Sequence, residues 1–155
     1  MTRISMAAVF AALALGGCKG PQDAYDQTDV FMVSPYLRDK IEHLITQGFR
    51  GEYLIRQTQT LDQVVKIGEP AVPFLIDALG SNDYGVRGWS AKALGRIGDR
   101  RATPYMVKLV DDESHWTRLW ACQGLGDMGD PAGGPAVYKL LAIETAPMVR
   151  QEAVD

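Results

Sequence analysis

The chain has 155 residues and a formal charge of −3, with 46% hydrophobic and 23% charged residues, enough apolar material for the core of one domain without the composition of a membrane bundle. A mildly acidic chain lacks the basic stripe with which a general nucleic-acid binder neutralises phosphates. Two cysteines, Cys18 and Cys122, and two histidines, His43 and His115, leave little for a disulfide framework, a zinc site or a catalytic cluster, so no cofactor, metal, nucleic acid or enzymatic activity is expected.

Residues 1–17 begin with a positive Arg3, continue as an apolar run from Ile4 to Leu15 and end in Gly16-Gly17. This reads as a secretory signal, too short for a comfortable membrane-spanning helix. Cleavage after it removes only Arg3 among the charged residues and leaves a body of about −4. The run ends Leu15-Gly16-Gly17-Cys18, which resembles the lipobox of bacterial lipoproteins. That resemblance implies that the Cys18 thiol is acylated and becomes the new N-terminus. Acyl chains contribute about 0.8 kcal/mol per buried CH₂, so several would anchor the chain stably. Lys19, where an Asp would hold a lipoprotein at the inner membrane, implies the outer membrane, with the body facing the periplasm. Residues 18–33 show no helical period and carry Asp23, Asp26 and Asp29; they read as a tether.

The repeat domain spans residues 34–155. Ser34-Pro35 makes an N-cap and first-turn pair. It leads into an apolar stripe of Leu37, Ile41, Leu44 and Ile45, which Gly48 closes. A second helix is expected on Leu54, Thr58, Leu61, Val64 and Val65. Residues 34–67 thus form a divergent first unit that caps the stack.

Three further units follow, over residues 68–98, 99–129 and 130–155. Pro73, Pro104 and Pro135 recur at a step of 31, as do Leu79, Val110 and Leu141. Ala93-Leu94-Gly95-Arg96-Ile97-Gly98-Asp99 is answered by Gly124-Leu125-Gly126-Asp127-Met128-Gly129-Asp130. Each unit reads as two helices. Proline opens the first, where its missing N–H costs nothing. Phe74, Leu75, Ala78 and Leu79 give that helix an apolar face, as do Tyr105, Met106, Leu109 and Val110 one unit later, and Val137, Leu140 and Leu141 after that. The second helix is expected to bury Val86, Ser90, Ala93, Leu94 and Ile97 and to end at Gly98 and Gly129. The last unit stops at Asp155, part-way through its second helix. A fragment of a longer protein is the preferred reading of that stop; a frayed last unit or a covering partner are the alternatives.

The run Val86-Arg87-Gly88-Trp89-Ser90-Ala91-Lys92-Ala93-Leu94-Gly95-Arg96-Ile97-Gly98-Asp99 resembles the short HEAT-like repeat, also called the phycobilisome-lyase type. The resemblance covers about residues 61–155. It implies an all-α fold, a right-handed α-solenoid of helical hairpins, which binds a protein or peptide partner on a concave face lined by the second helices. Candidate partner-binding residues are then Trp89, Lys92, Arg96, Trp120, Gln123 and Glu152. Trp89 and Trp120 hold the same repeat position, and two tryptophans in a row would make an aromatic platform; the alternative is that they wedge between helices as core. Arg87, Arg118 and Arg150 also recur. In the family such an arginine pairs with an acid in the preceding turn and ties repeats together, which makes Asp83 and Asp112 the candidate acceptors. Tyr84, His115 and Trp116, at the turns entering the second helices, are read as turn and packing residues, the rim of a ligand site being the alternative, and Cys122 as a core thiol. Asp111-Asp112-Glu113 lacks the spacing of a calcium loop. Two rivals to the scaffold remain: an enzyme or enzyme subunit of the bilin-lyase-like class, and a structural spacer with no single ligand.

Overall fold

The computed structural model describes residues 33–50 and 54–143. Residues 1–32, which hold the expected signal, Cys18 and most of the expected tether, lie outside the described residues, as do Arg150 and Glu152. Seven α-helices follow one another, with no strand among the described residues: α1 (Pro35–His43), α2 (Leu54–Ile67), α3 (Val72–Ala78), α4 (Tyr84–Ile97), α5 (Thr103–Met106), α6 (His115–Met128) and α7 (Gly134–Ile143). The odd-numbered helices are the first members of the hairpins and the even-numbered ones the second members. The second helices form one layer, α2 against α4 and α4 against α6. This is the all-α solenoid that the repeat period implies.

The helix ends follow from local chemistry. Ser34 Oγ accepts from the Leu37 N–H at 3.3 Å and opens α1. Asp83 Oδ1 accepts from Gly85 N at 2.8 Å and Val86 N at 3.3 Å, satisfying two of the free donors at the start of α4. Pro73 and Pro104 sit in the first turns of α3 and α5. Each of α3, α5 and α7 is preceded by a 3₁₀ turn, over Glu69–Ala71, Arg100–Ala102 and Pro131–Gly133. At the other end, Gly98 (φ 76°) and Gly129 (φ 62°) take the left-handed conformation that stops α4 and α6. A side chain there would be strained, so glycine is the residue expected.

Three local details depart from the expectation. Helix α1 does not run regularly to Gly48: it passes at Leu44–Gly48 into one π-helical turn. The buried face of α2 runs through Gln57, Thr60, Leu61 and Val64, while Thr58 is exposed. Gln57 is pulled inward because its Nε2 donates to the Phe49 carbonyl at 3.2 Å, a bond worth more than a solvated amide where water is excluded. The first helix of the third unit is broken, with α5 continuing as a 3₁₀ turn at Val107–Asp111.

The core runs through all units, with Ile41, Phe49, Leu61, Leu75, Leu94, Met106 and Leu140 fully buried. Helices α4 and α6 make the most extensive contact, and small residues allow it. A Cβ on Gly95 would overlap the backbone of Gly124, and one on Gly124 would stand 2.6 Å from the Ala91 carbonyl. Cys122 is buried at the position that repeats Ala91, as expected of a core thiol.

Candidate functional site on the second-helix layer

Two side-chain systems cross from unit to unit in the second-helix layer. The first is the arginine strap. Arg87 donates through Nε and Nη2 to Asp112 Oδ2 and Oδ1, at 2.8 and 2.9 Å. Both side chains are 9% exposed. Its third nitrogen, Nη1, donates to the Ser81 carbonyl at 2.8 Å. The guanidinium therefore reads its own unit's turn with one donor and the next unit's turn with two. This bidentate fork is the strong form of an Arg–carboxylate pair. Hydrogen bonding to Asp112 pushes the Arg87 pKa above its ordinary value. Burial pushes Asp112 up, but the bonds from Arg87 and the Ser114 N–H win, and its carboxyl lies below the usual aspartate value.

This corrects one expectation. The acid that Arg87 engages belongs to the following unit, and Asp83, in its own preceding turn, is not the acceptor. Asp83 is held as the cap of α4, with Arg50 Nε at 3.9 Å from its other oxygen. Arg118 repeats the own-turn half of the strap, donating through Nη1 to the carbonyls of Asp112 and Glu113 at 2.8 and 3.2 Å. Asp111 is taken by Lys139, with Nζ to Oδ2 at 2.7 Å. Arg101 bridges Asp99 and Glu69, and the Thr103 hydroxyl donates to Asp130 at 2.6 Å.

The second system is an aromatic row. Phe49 and Trp89 have ring centroids 6.3 Å apart and nearly parallel planes; Trp89 and Trp120 are 5.1 Å apart, Trp120 and Trp116 5.9 Å, and Trp116 and His115 4.9 Å. Spacings of this order are attractive beyond simple burial. The row starts inside the molecule and emerges at the surface. Trp89 is 3% exposed, Trp120 is half-buried and Trp116 is 36% exposed.

Trp89 therefore does not belong to an open platform with Trp120; it is core. The cause is the next unit, whose Trp120 ring lies over Gly88 and covers Trp89. A Cβ on Gly88 would overlap that ring. Lys92 is half-buried, with its Nζ 5.5 Å from the Trp89 ring centroid, in range for a cation–π contact. Arg96 is exposed and paired to Asp62 across to α2, Nη1 to Oδ1 at 3.2 Å. Gln123 is half-buried. The surface made by the second helices thus includes Trp116, Trp120, Lys92, Gln123 and the Arg96–Asp62 pair. The repeat sets Trp116 apart from the Trp89/Trp120 position, because its counterpart in the preceding unit is Gly85. Its spacing of four from Trp120 was the available signal, since side chains four apart share a helix face. Nothing in the sequence ties Phe49, between two helices, to the row. Among the described residues no group of three or more His, Cys, Asp or Glu side chains is gathered to hold a metal.

Compared with known families, the sequence matches HEAT repeats over residues 61–155, more than half its length. The chain belongs to the HEAT-repeat family. Units with the sequence pattern of HEAT repeats therefore carry both the strap and the row, and the first unit, largely upstream of the match, contributes Phe49 and the Arg96 partner Asp62. No curated protein matches the sequence. HEAT repeats form helical scaffolds that commonly serve in protein interaction, and the second-helix layer of this one brings two tryptophans, Trp116 and Trp120, to its surface.

Proposed function

We propose that this HEAT protein is a lipid-anchored scaffold of the bacterial envelope, held through Cys18 at the outer membrane, and that it binds a protein or peptide partner on the second-helix face. One observation carries the binding part. The aromatic row surfaces at Trp120 and Trp116, where large rings lie partly bare beside Lys92 and Gln123. Tryptophans of this kind supply much of the energy at interfaces. The anchor rests on Leu15-Gly16-Gly17-Cys18 and the apolar run before it. A binder is preferred to an enzyme because the Cys122 thiol is buried and no nucleophile–base–orienter arrangement is evident among the described residues.

Two measurements test this. Metabolic labelling with an alkyne fatty acid should mark the wild type and not Cys18→Ser, and equal labelling of the two would remove the anchor. Cross-linking in envelopes should then capture a partner with the wild type and lose it with a folded Trp116→Ala variant. Unchanged capture would move the partner off the second-helix face.

A further inference from the structure

The opposite side of the stack, made by the first helices, carries a cleft of its own. It lies between α1 with its π turn and α3, has a volume of about 310 Å³, and is lined by Glu42, Ile45, Thr46, Phe74, Asp77 and Ala78. Both walls use the same spacing: Glu42, Ile45 and Thr46 stand at i, i+3 and i+4 on one side, and Phe74, Asp77 and Ala78 on the other. Ile45, Phe74 and Ala78 make an apolar floor, and the two carboxylates stand on the walls.

The charge is what sets this cleft apart. Most acids of the described residues are matched: Asp62 with Arg96, Glu69 and Asp99 with Arg101, Asp111 with Lys139, and Asp112 with Arg87. Asp39, Glu42, Asp77, Asp127 and Asp130 have no basic partner in ion-pair range among the described residues. Two of those five line this one cleft. Asp77 is exposed to solvent on one side, and partial burial on the other raises its pKa. The repeat sharpens the contrast. The positions equivalent to Asp77 in the next two units are Lys108 and Lys139. The acid therefore belongs to this cleft and not to the repeat pattern.

We propose that the cleft is a second docking site, which takes a lysine or arginine side chain from a basic peptide segment. The aliphatic stem lies on Ile45, Phe74 and Ala78, and the cation sits between Glu42 and Asp77. Long basic side chains are suited to this, since they bury the stem and keep the charge at a polar rim. The volume falls at the small end of ligand clefts, roughly 300–1,000 Å³, which suits a side chain and its neighbours more than a whole folded partner. The site is independent of the second-helix face, and the two could be occupied together.

The test is fluorescence anisotropy with a labelled amphipathic lysine–leucine peptide, and with the same peptide carrying glutamate for lysine, on the purified chain without its signal segment. Circular dichroism confirms the fold of every variant. The expected result is saturable binding of the lysine peptide alone. Glu42→Gln/Asp77→Asn should weaken it about tenfold or more, while Asp39→Asn/Asp127→Asn, with the same loss of charge, and Trp116→Ala should change it less than about twofold. Equal weakening by the two acid pairs would overturn the proposal in favour of diffuse attraction to an acidic protein. Loss with Trp116→Ala alone would place the peptide on the other face. A wild type that sediments as a dimer dissociated by Glu42→Gln/Asp77→Asn would give the cleft to a second copy of the chain and overturn it as well.

Discussion

Replacing Arg87 by methionine keeps most of the side-chain stem and removes the cation. The Asp112 carboxylate then loses both bonds of the fork, at 2.8 and 2.9 Å, and the Ser81 carbonyl loses its donor. Because both partners are 9% exposed, water cannot readily replace what is lost. Breaking one side of a buried pair costs about 3–5 kcal/mol. Glu113 lies 3.5 Å from Arg87 but is largely solvated, so its loss adds little. With about 4 °C per kcal/mol for a domain near 100 residues, Tm should fall by roughly 12–20 °C. Arg87→Lys should fall in between, since an ammonium cannot make the planar fork. The sign of the pH dependence also follows. The Asp112 pKa is lowered in the folded protein, so its contribution is complete above the ordinary aspartate value of about 3.9 and is lost as pH falls through the depressed folded value. The gap between wild type and Arg87→Met should therefore narrow in acid. Urea unfolding followed by circular dichroism at neutral pH and below pH ~4 measures both. A cost below about 1 kcal/mol at neutral pH, the size of a surface pair, would refute the assignment of Arg87 as the tie between units.

Gly95→Ala should destabilise by about 1–3 kcal/mol, because the new methyl meets the Gly124 backbone. Gly126→Ala has open space around it and should stabilise by up to about 1 kcal/mol from helix propensity; thermal unfolding of the pair decides. Trp89→Ala should cost about 3–5 kcal/mol, whereas Trp116→Ala should stay within about 1 kcal/mol of wild type, which chemical denaturation separates. Asp77→Asn should be as stable as wild type or more so at neutral pH. The folded pKa of Asp77 is raised by burial, so its penalty is full above that value and disappears as both states protonate; the advantage of the variant should vanish in acid, as read by Tm against pH.

Repetition made most of the architecture legible. Proline at a fixed step and a glycine closing each second helix give the hairpins their starts and stops, and Gly98 and Gly129 take the left-handed conformation for which they were chosen. The hidden part was what one unit does to the next. Trp89 and Trp120 hold the same place in the period, yet one is core and the other half-bare, because the ring that covers Trp89 comes from the following unit and rests on Gly88. Arg87 has an acid four residues before it, but Asp83 is consumed by the free N–H groups of α4, so the fork reaches 25 residues onward to Asp112. A period shows which positions share a role; it does not show which neighbour completes it. The α2 face shifted for a similar reason, since the carbonyl that draws Gln57 inward belongs to Phe49, outside the helix.

The strap also gives the array a direction. Arg87 draws its anion from the unit that follows, while Asp112, bonded to the Ser114 N–H as well, braces the turn before that unit's own second helix. Loss of the following unit leaves Arg87 with the Ser81 carbonyl, and loss of the preceding one leaves Asp112 with the Ser114 N–H. In a nearest-neighbour chain such a tie couples the opening of one unit to that of its neighbour. Amide exchange should therefore show the two hairpins on either side of the Arg87–Asp112 fork opening together in the wild type and separately in Arg87→Met.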